Sequence, residues 1–101
     1  MSSAGHHWLL DFSDCRCERL LLEQAAALER RCVEACVASG MQIVGQRFHQ
    51  FVPHGVTGVV LLSESHLSVH TWPESAFVAA DVYVCDHASN NFSKGQQLVG
   101  L

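Results

Sequence analysis

The sequence predicts an α+β fold, a two-layer sandwich in which an antiparallel sheet carries its helices on one face. Three observations carry this. One helical periodicity, over residues 15–39, follows a first short apolar stretch. Four strand-like runs then succeed one another with only short turn signals between them. The composition, 49% hydrophobic and 16% charged over 101 residues, supplies a core for one small domain and not two. With helices on one face, the other face of the sheet must be covered, most simply by a second copy of the chain.

Each element has a local reason. Residues 7–12 are apolar and read as the first strand, and Ser13 and Asp14 can cap the helix after it. In the helix, Leu21, Ala25, Leu28, Cys32 and Cys36 recur at three- and four-residue steps, with Glu23, Glu29, Arg30 and Arg31 mostly opposite. Gly40 stands where a left-handed cap would end it. Residues 41–51 read as a strand broken at Gly45, and Pro53-His54-Gly55 as a turn. Val56–Leu62 is apolar on both faces, as a central strand should be. Residues 67–72 alternate, with Leu67, Val69 and Thr71 on one face and Ser68, His70 and Trp72 on the other. Residues 73–76 turn the chain, and Phe77–Cys85 comes next as a strand with Phe77, Ala79, Asp81, Tyr83 and Cys85 on one face. A second helix is expected over residues 91–101. It has barely formed at Leu101, so a further strand is expected beyond it.

Charge and cysteine usage exclude several classes. A net charge of −4 gives no basic footprint, so no nucleic acid is expected as a partner. No apolar run is long enough to span a bilayer, and the first residues lack a signal-peptide core. No membrane association and a cytoplasmic location are therefore expected. Five cysteines, an odd and scattered set, argue against a disulfide framework.

The informative segment is Ser63-Glu64-Ser65-His66-Leu67-Ser68-Val69-His70-Thr71-Trp72-Pro73-Glu74. It crowds hydroxyls, imidazoles and carboxylates into what should be a plain strand, and such local conflict marks function. If this strand pairs antiparallel with the next one about Pro73, partner numbers sum to about 149 or 150. Ser65 then falls beside Val84 or Cys85, and His70 beside Ala79 or Ala80. A hydroxyl, an imidazole and a thiol are expected to line one site. Parity objects, because Ser65 and His70 differ by five and a regular strand sends them to opposite faces. A bulge or turn at Glu64-Ser65-His66 is expected to resolve the conflict.

Taken singly, these residues have ordinary readings: a strand cysteine as a small core residue, a strand histidine as a satisfied polar group. No metal is expected, because Cys15-x-Cys17 and Cys32-x-x-x-Cys36 do not make the usual paired zinc spacing, and the second pair fits the helix's apolar face. No G-x-S-x-G elbow is present for a conventional serine hydrolase.

The run from Glu64 to Glu74 resembles the processing segment of the prokaryotic S-adenosylmethionine decarboxylase proenzymes, which are small pyruvoyl-dependent enzymes. The segment from Phe48 to Val60 and the strand Asp81-Val82-Tyr83-Val84-Cys85 extend the resemblance, which covers most of the chain. It implies a proenzyme that cleaves itself at Glu64-Ser65, giving a β chain of residues 1–64 and an α chain of residues 65–101. The C-terminus is short relative to the family. The cofactor it implies is a pyruvoyl group derived from Ser65, which forms a Schiff base with the substrate amine and accepts the electrons released with carbon dioxide. By resemblance, His70 takes the α-proton during processing, Thr57 supplies a processing hydroxyl, and Cys85 reprotonates the product. Phe51 and Trp72 would lie on the adenine and Glu74 near the ribose hydroxyls. Homodimers of processed αβ units, with sites at the interface, are implied too.

Two departures bear on this. Thr57 stands where serine is common, and adds a methyl and a stiffer rotamer. Ser75-Ala76-Phe77 replaces the usual Tyr-Gly-Tyr beside the substrate. Since the pocket rather than the cofactor chooses the substrate, L-ornithine or L-arginine is the alternative to S-adenosylmethionine, with Glu74 or Asp81 meeting the distal cation. A third reading, from another class, is an unprocessed non-catalytic regulatory paralogue. The intact Ser65, His70 and Cys85 argue against it.

Overall fold

The computed structural model describes residues 5–13, 19–63, 65–85 and 92–100. Strands β1 (Gly5–Phe12), β2 (Ile43–Gln50), β3 (Val56–Leu62), β4 (Ser65–Trp72) and β5 (Phe77–Cys85) form one sheet in the order β1-β5-β4-β3-β2. Every neighbouring pair is antiparallel. Helices α1 (Arg19–Glu23), α2 (Ala25–Ala38) and α3 (Phe92–Val99) complete the chain. The central strand is β4.

One face of the sheet makes the core. Val56, Val60 and Leu62 of β3, Leu67 and Val69 of β4, and Val82 and Val84 of β5 are all buried. They meet Leu28, Cys32, Ala35 and Cys36 of α2 and Leu98 of α3. Burial of a side chain of this size is worth roughly 1.5 to 3 kcal/mol, and this face supplies most of it. Two glycines permit close approaches, Gly95 between helix and sheet and Gly58 between neighbouring strands. A Cβ at Gly95 would overlap the ring of Trp8, and one at Gly58 would overlap Phe48. The two-layer α+β sandwich with helices on one face is the architecture expected.

The opposite face carries no helix among the described residues. It exposes Leu9 (76%), Leu61 (49%) and Trp72 (43%). On β3, alternate residues are accordingly buried and partly exposed, rather than apolar and buried on both sides.

The long helix expected over residues 15–39 is two helices among the described residues. Gln24 between them is extended, with φ −117° and ψ 119°. The cause is tertiary. The Gln50 side chain accepts from the Ala25 N–H and donates to the Glu23 carbonyl, both at 2.7 Å, capping both sides of the break. Thr71 Oγ1 donates to the Leu22 carbonyl at 2.7 Å and accepts from the Val56 N–H. The expected cap at Asp14 and helix start at residue 15 lie outside the described residues. The far end is as expected: Gly40 has φ 78°, Met41 N–H donates to Cys36 and Gly40 N–H to Val37, a Schellman cap. Gly45 also marks a register shift in β2.

Candidate active site

The β4–β5 register pairs His70 with Ala79, Ser68 with Asp81 and His66 with Tyr83, so partner numbers sum to 149. Ser65 is carried to the Cys85 backbone, whose N–H donates to Ser65 Oγ at 3.4 Å. Both residues are half-buried. The expected neighbourhood of Ser65 and Cys85 is therefore observed.

His70 does not join them. β4 pairs regularly with β3 from Leu62↔Ser65 to Thr57↔His70, with no bulge over residues 65–70. The expected irregularity at Ser65-His66 is absent, and Glu64 lies outside the described residues. Five regular strand residues separate Ser65 from His70 by roughly 16 Å, and parity sends them to opposite faces. The expectation that hydroxyl, imidazole and thiol line one site fails within a single chain. The physical reason is that pairing with both neighbours holds β4 straight.

His70 has its own companions. The Thr57 hydroxyl lies 3.1 Å from His70 Nδ1 and donates to it in the tautomer protonated on Nε2. A cavity of about 230 Å³ at this end of the sheet is lined by Phe51, His54, Thr57, His70, Trp72 and Glu74, among others. The structure thus groups all three expected substrate residues with both Thr57 and His70. The Trp72 ring sits 6.2 Å from the His70 ring and 5.5 Å from Phe77. Glu74 lies in the short 3-10 turn Pro73–Ser75 and stays largely exposed. A second cavity of about 320 Å³ on the open face, over Ser68, Ala79 and Asp81, also has His70 in its wall.

Two sets of residues escaped the sequence reading. His54, read only as part of a turn, places Nε2 3.8 Å from Glu74 Oε1. On the open face, His7 and His66 converge on Asp81, and Ser68 donates to the same carboxylate. Partial burial opposes ionisation of Asp81, but the hydrogen bonds from Ser68, His66 and His7 outweigh it and hold the carboxyl well below its usual range. The count of 149 already placed Asp81 opposite Ser68; nothing in the sequence placed β1, and with it His7, beside β5. The buried thiols behave differently from any reactive cysteine. Burial pushes Cys32 up to about 12 and Cys36 to about 11, so both remain protonated core residues.

Residues 6–95 match the model of the family described as S-adenosylmethionine decarboxylase. The chain belongs to this family. Relatives named S-adenosylmethionine decarboxylase proenzyme include one from Thermosipho melanesiensis, 44% identical over 84% of this chain and 64% of its own length. One from Thermotoga maritima is 42% identical over 84% of this chain and 64% of its own. One from Clostridium tetani is 40% identical over 89% of this chain and 70% of its own. The crystal structure of the adenosylmethionine decarboxylase from Aquifex aeolicus VF5 superposes with a TM-score of 0.85 at 29% identity, covering 99% of this chain and 78% of that one. The chain spans about 64% of the length of the Thermosipho and Thermotoga relatives. The two groups of candidate residues lie at opposite ends of β4.

Proposed function

We propose that this chain is a self-processing decarboxylase acting on S-adenosylmethionine in polyamine synthesis in the cytoplasm, and that two copies share each active site. The observation that carries the reading is the hydrogen bond from the Cys85 N–H to Ser65 Oγ at one end of the central strand, in a member of this family. His70, Thr57 and the substrate cavity lie at the other end. A second copy, stacked face to face about an axis perpendicular to β4 between Leu67 and Ser68, lays residue 65 of one chain opposite residue 70 of its partner. The open face exposes Leu9, Leu61 and Trp72 among its polar groups, and such a contact would cover them.

Processing begins when the Ser65 hydroxyl attacks the residue-64 carbonyl and moves the acyl group from nitrogen to oxygen. A His70 supplied by the second copy then takes the Ser65 α-proton as the Cβ–Oγ bond breaks, releasing residues 1–64 as a carboxylate. Water displaces the remaining nitrogen as ammonia and leaves a ketone at the head of residues 65–101. Thr57 holds His70 in position for this. The Ser65 environment fits this chemistry, because the Cys85 N–H donates to the Oγ that takes the acyl group and then leaves with residue 64. The pyruvoyl ketone supplies the electron sink for decarboxylation. Cys85 returns a proton to the substrate carbon, Phe51 and Trp72 stack on the adenine, and Glu74 accepts from the ribose hydroxyls.

Ornithine or arginine is the weaker reading, since the three partners of Asp81 leave it poorly placed to meet a distal cation. Intact mass after incubation tests processing. Two fragments divided at 64/65, the second lacking its amine, are expected, and Ser65→Ala remains one chain. Release of carbon dioxide from S-adenosylmethionine, but not from ornithine or arginine, is expected of the processed protein. Cys85→Ala is cut but turns over poorly. A chain that stays whole, or one that decarboxylates only ornithine, overturns the reading.

A further inference from the structure

The open face of the sheet holds one cluster that the proposed chemistry does not use. β1, β5 and β4 lie side by side, and their register brings His7 and His66 to either side of Tyr83, one pair along from Asp81. Both imidazole Nε2 atoms converge on a single oxygen, Asp81 Oδ2, at 2.6 and 3.0 Å. Ser68 donates to the other oxygen, Oδ1. The three ligand atoms lie within 4.8 Å of one another. One tyrosine orients both rings: His66 stacks on Tyr83 with centroids 6.2 Å apart, and His7 meets it edge-on at 5.8 Å.

We propose that His7, His66 and Asp81 form a binding site for a divalent transition-metal ion of the zinc class. Two imidazoles and one carboxylate are a donor set that zinc accepts with its fourth position open. Tetrahedral bonds of about 2.0 to 2.1 Å set ligand atoms about 3.3 Å apart, so the present contacts need to open by less than about 1 Å. On binding, each imidazole carries its proton on Nδ1 and presents the Nε2 lone pair, so the two contacts to Oδ2 are exchanged for three metal bonds. Ser68 keeps Oδ1 occupied and leaves Oδ2 as a single ligand atom, the arrangement by which outer groups orient a ligating carboxylate. His7 is half-exposed, so the open position faces away from the sheet, toward the side on which the proposed second copy stacks. The ligands come from three strands, which is why no linear spacing announces them. The proposal does not depend on the decarboxylase reading.

Titration of the full chain with Co²⁺, followed by visible absorption, and with Zn²⁺, followed by calorimetry, tests it. One ion per chain is expected, with a tetrahedral cobalt spectrum free of thiolate charge transfer. His7→Gln and His66→Gln should each weaken binding at least about tenfold, and Ser68→Ala by about tenfold. Circular dichroism checks that the variants fold. Independently of any variant, zinc should shift the Nε2 resonances of His7 and His66 in the wild-type chain and leave those of His49 and His54 unmoved. No binding, binding unchanged in the His7→Gln/His66→Gln double variant, or a cysteine-thiolate spectrum overturns the proposal.

Discussion

Ala76 occupies the left-handed region, with φ 49° and ψ 41°, just after the turn Pro73–Ser75. A Cβ there crowds the backbone by about 1 to 2 kcal/mol, and this is the position where the family usually has glycine. Ala76→Gly is expected to stabilise the fold by roughly 0.5 to 1 kcal/mol, after the greater chain entropy of glycine in the unfolded state is subtracted. The midpoint of urea unfolding measures it, and a destabilised variant would show that the Cβ has a packing role the strain does not reveal. Because Ala76 links Glu74 to Phe77 beside the substrate cavity, the same variant also reports whether that wall tolerates relaxation. At this scale most of the candidate site was legible. Ser65, Cys85 and their proximity followed from a register count about one turn. The Asp81 cluster needed β1, whose place at the far edge no local pattern indicates.

At the scale of elements, the departures from the sequence reading have named tertiary causes. The apolar periodicity of residues 21–36 runs through Gln24 without a breaker, so nothing local announces the split between α1 and α2. Gln50, 26 positions after Gln24 in the sequence, caps both sides of it. Gln50→Ala should cost about 1 to 2 kcal/mol by removing both caps of the break and the amide's bonds to the Phe51 and Gly55 carbonyls, with the sheet retained. Urea denaturation with circular dichroism measures both, and an unchanged midpoint would mean that water replaces the amide at no cost. The straightness of β4 is the other case. Its alternation was legible, and parity alone warned that Ser65 and His70 diverge. The expected bulge was a way to keep them together in one chain, but regular pairing on both edges leaves no place for it.

At the scale of the whole molecule, the proposed pair of chains answers both this strand geometry and a sheet face that carries no helix among the described residues. Helices cover one face, so the core is finished by the chain itself. The other face presents apolar side chains, both cavities' shared wall at His70, and Cys85 at its end. In the proposed arrangement Ser65 with Cys85 is one half of a site and Thr57 with His70 the other, roughly 16 Å along the same strand. In the proposed function, a face-to-face pair of chains brings the two groups together and gives two equivalent sites. The measurement that tests this most directly is complementation between two inactive variants. Ser65→Ala cannot be cut, and His70→Ala retains Ser65 but lacks the base. Produced separately, neither is cleaved. Produced together, the His70→Ala chain should be cut at residue 64/65, up to the fraction present in mixed pairs, because its Ser65 meets the intact His70 of the partner. Intact mass distinguishes the two chains. A His70→Ala chain that stays whole in mixed pairs would contradict the shared site, as would cleavage of that chain alone.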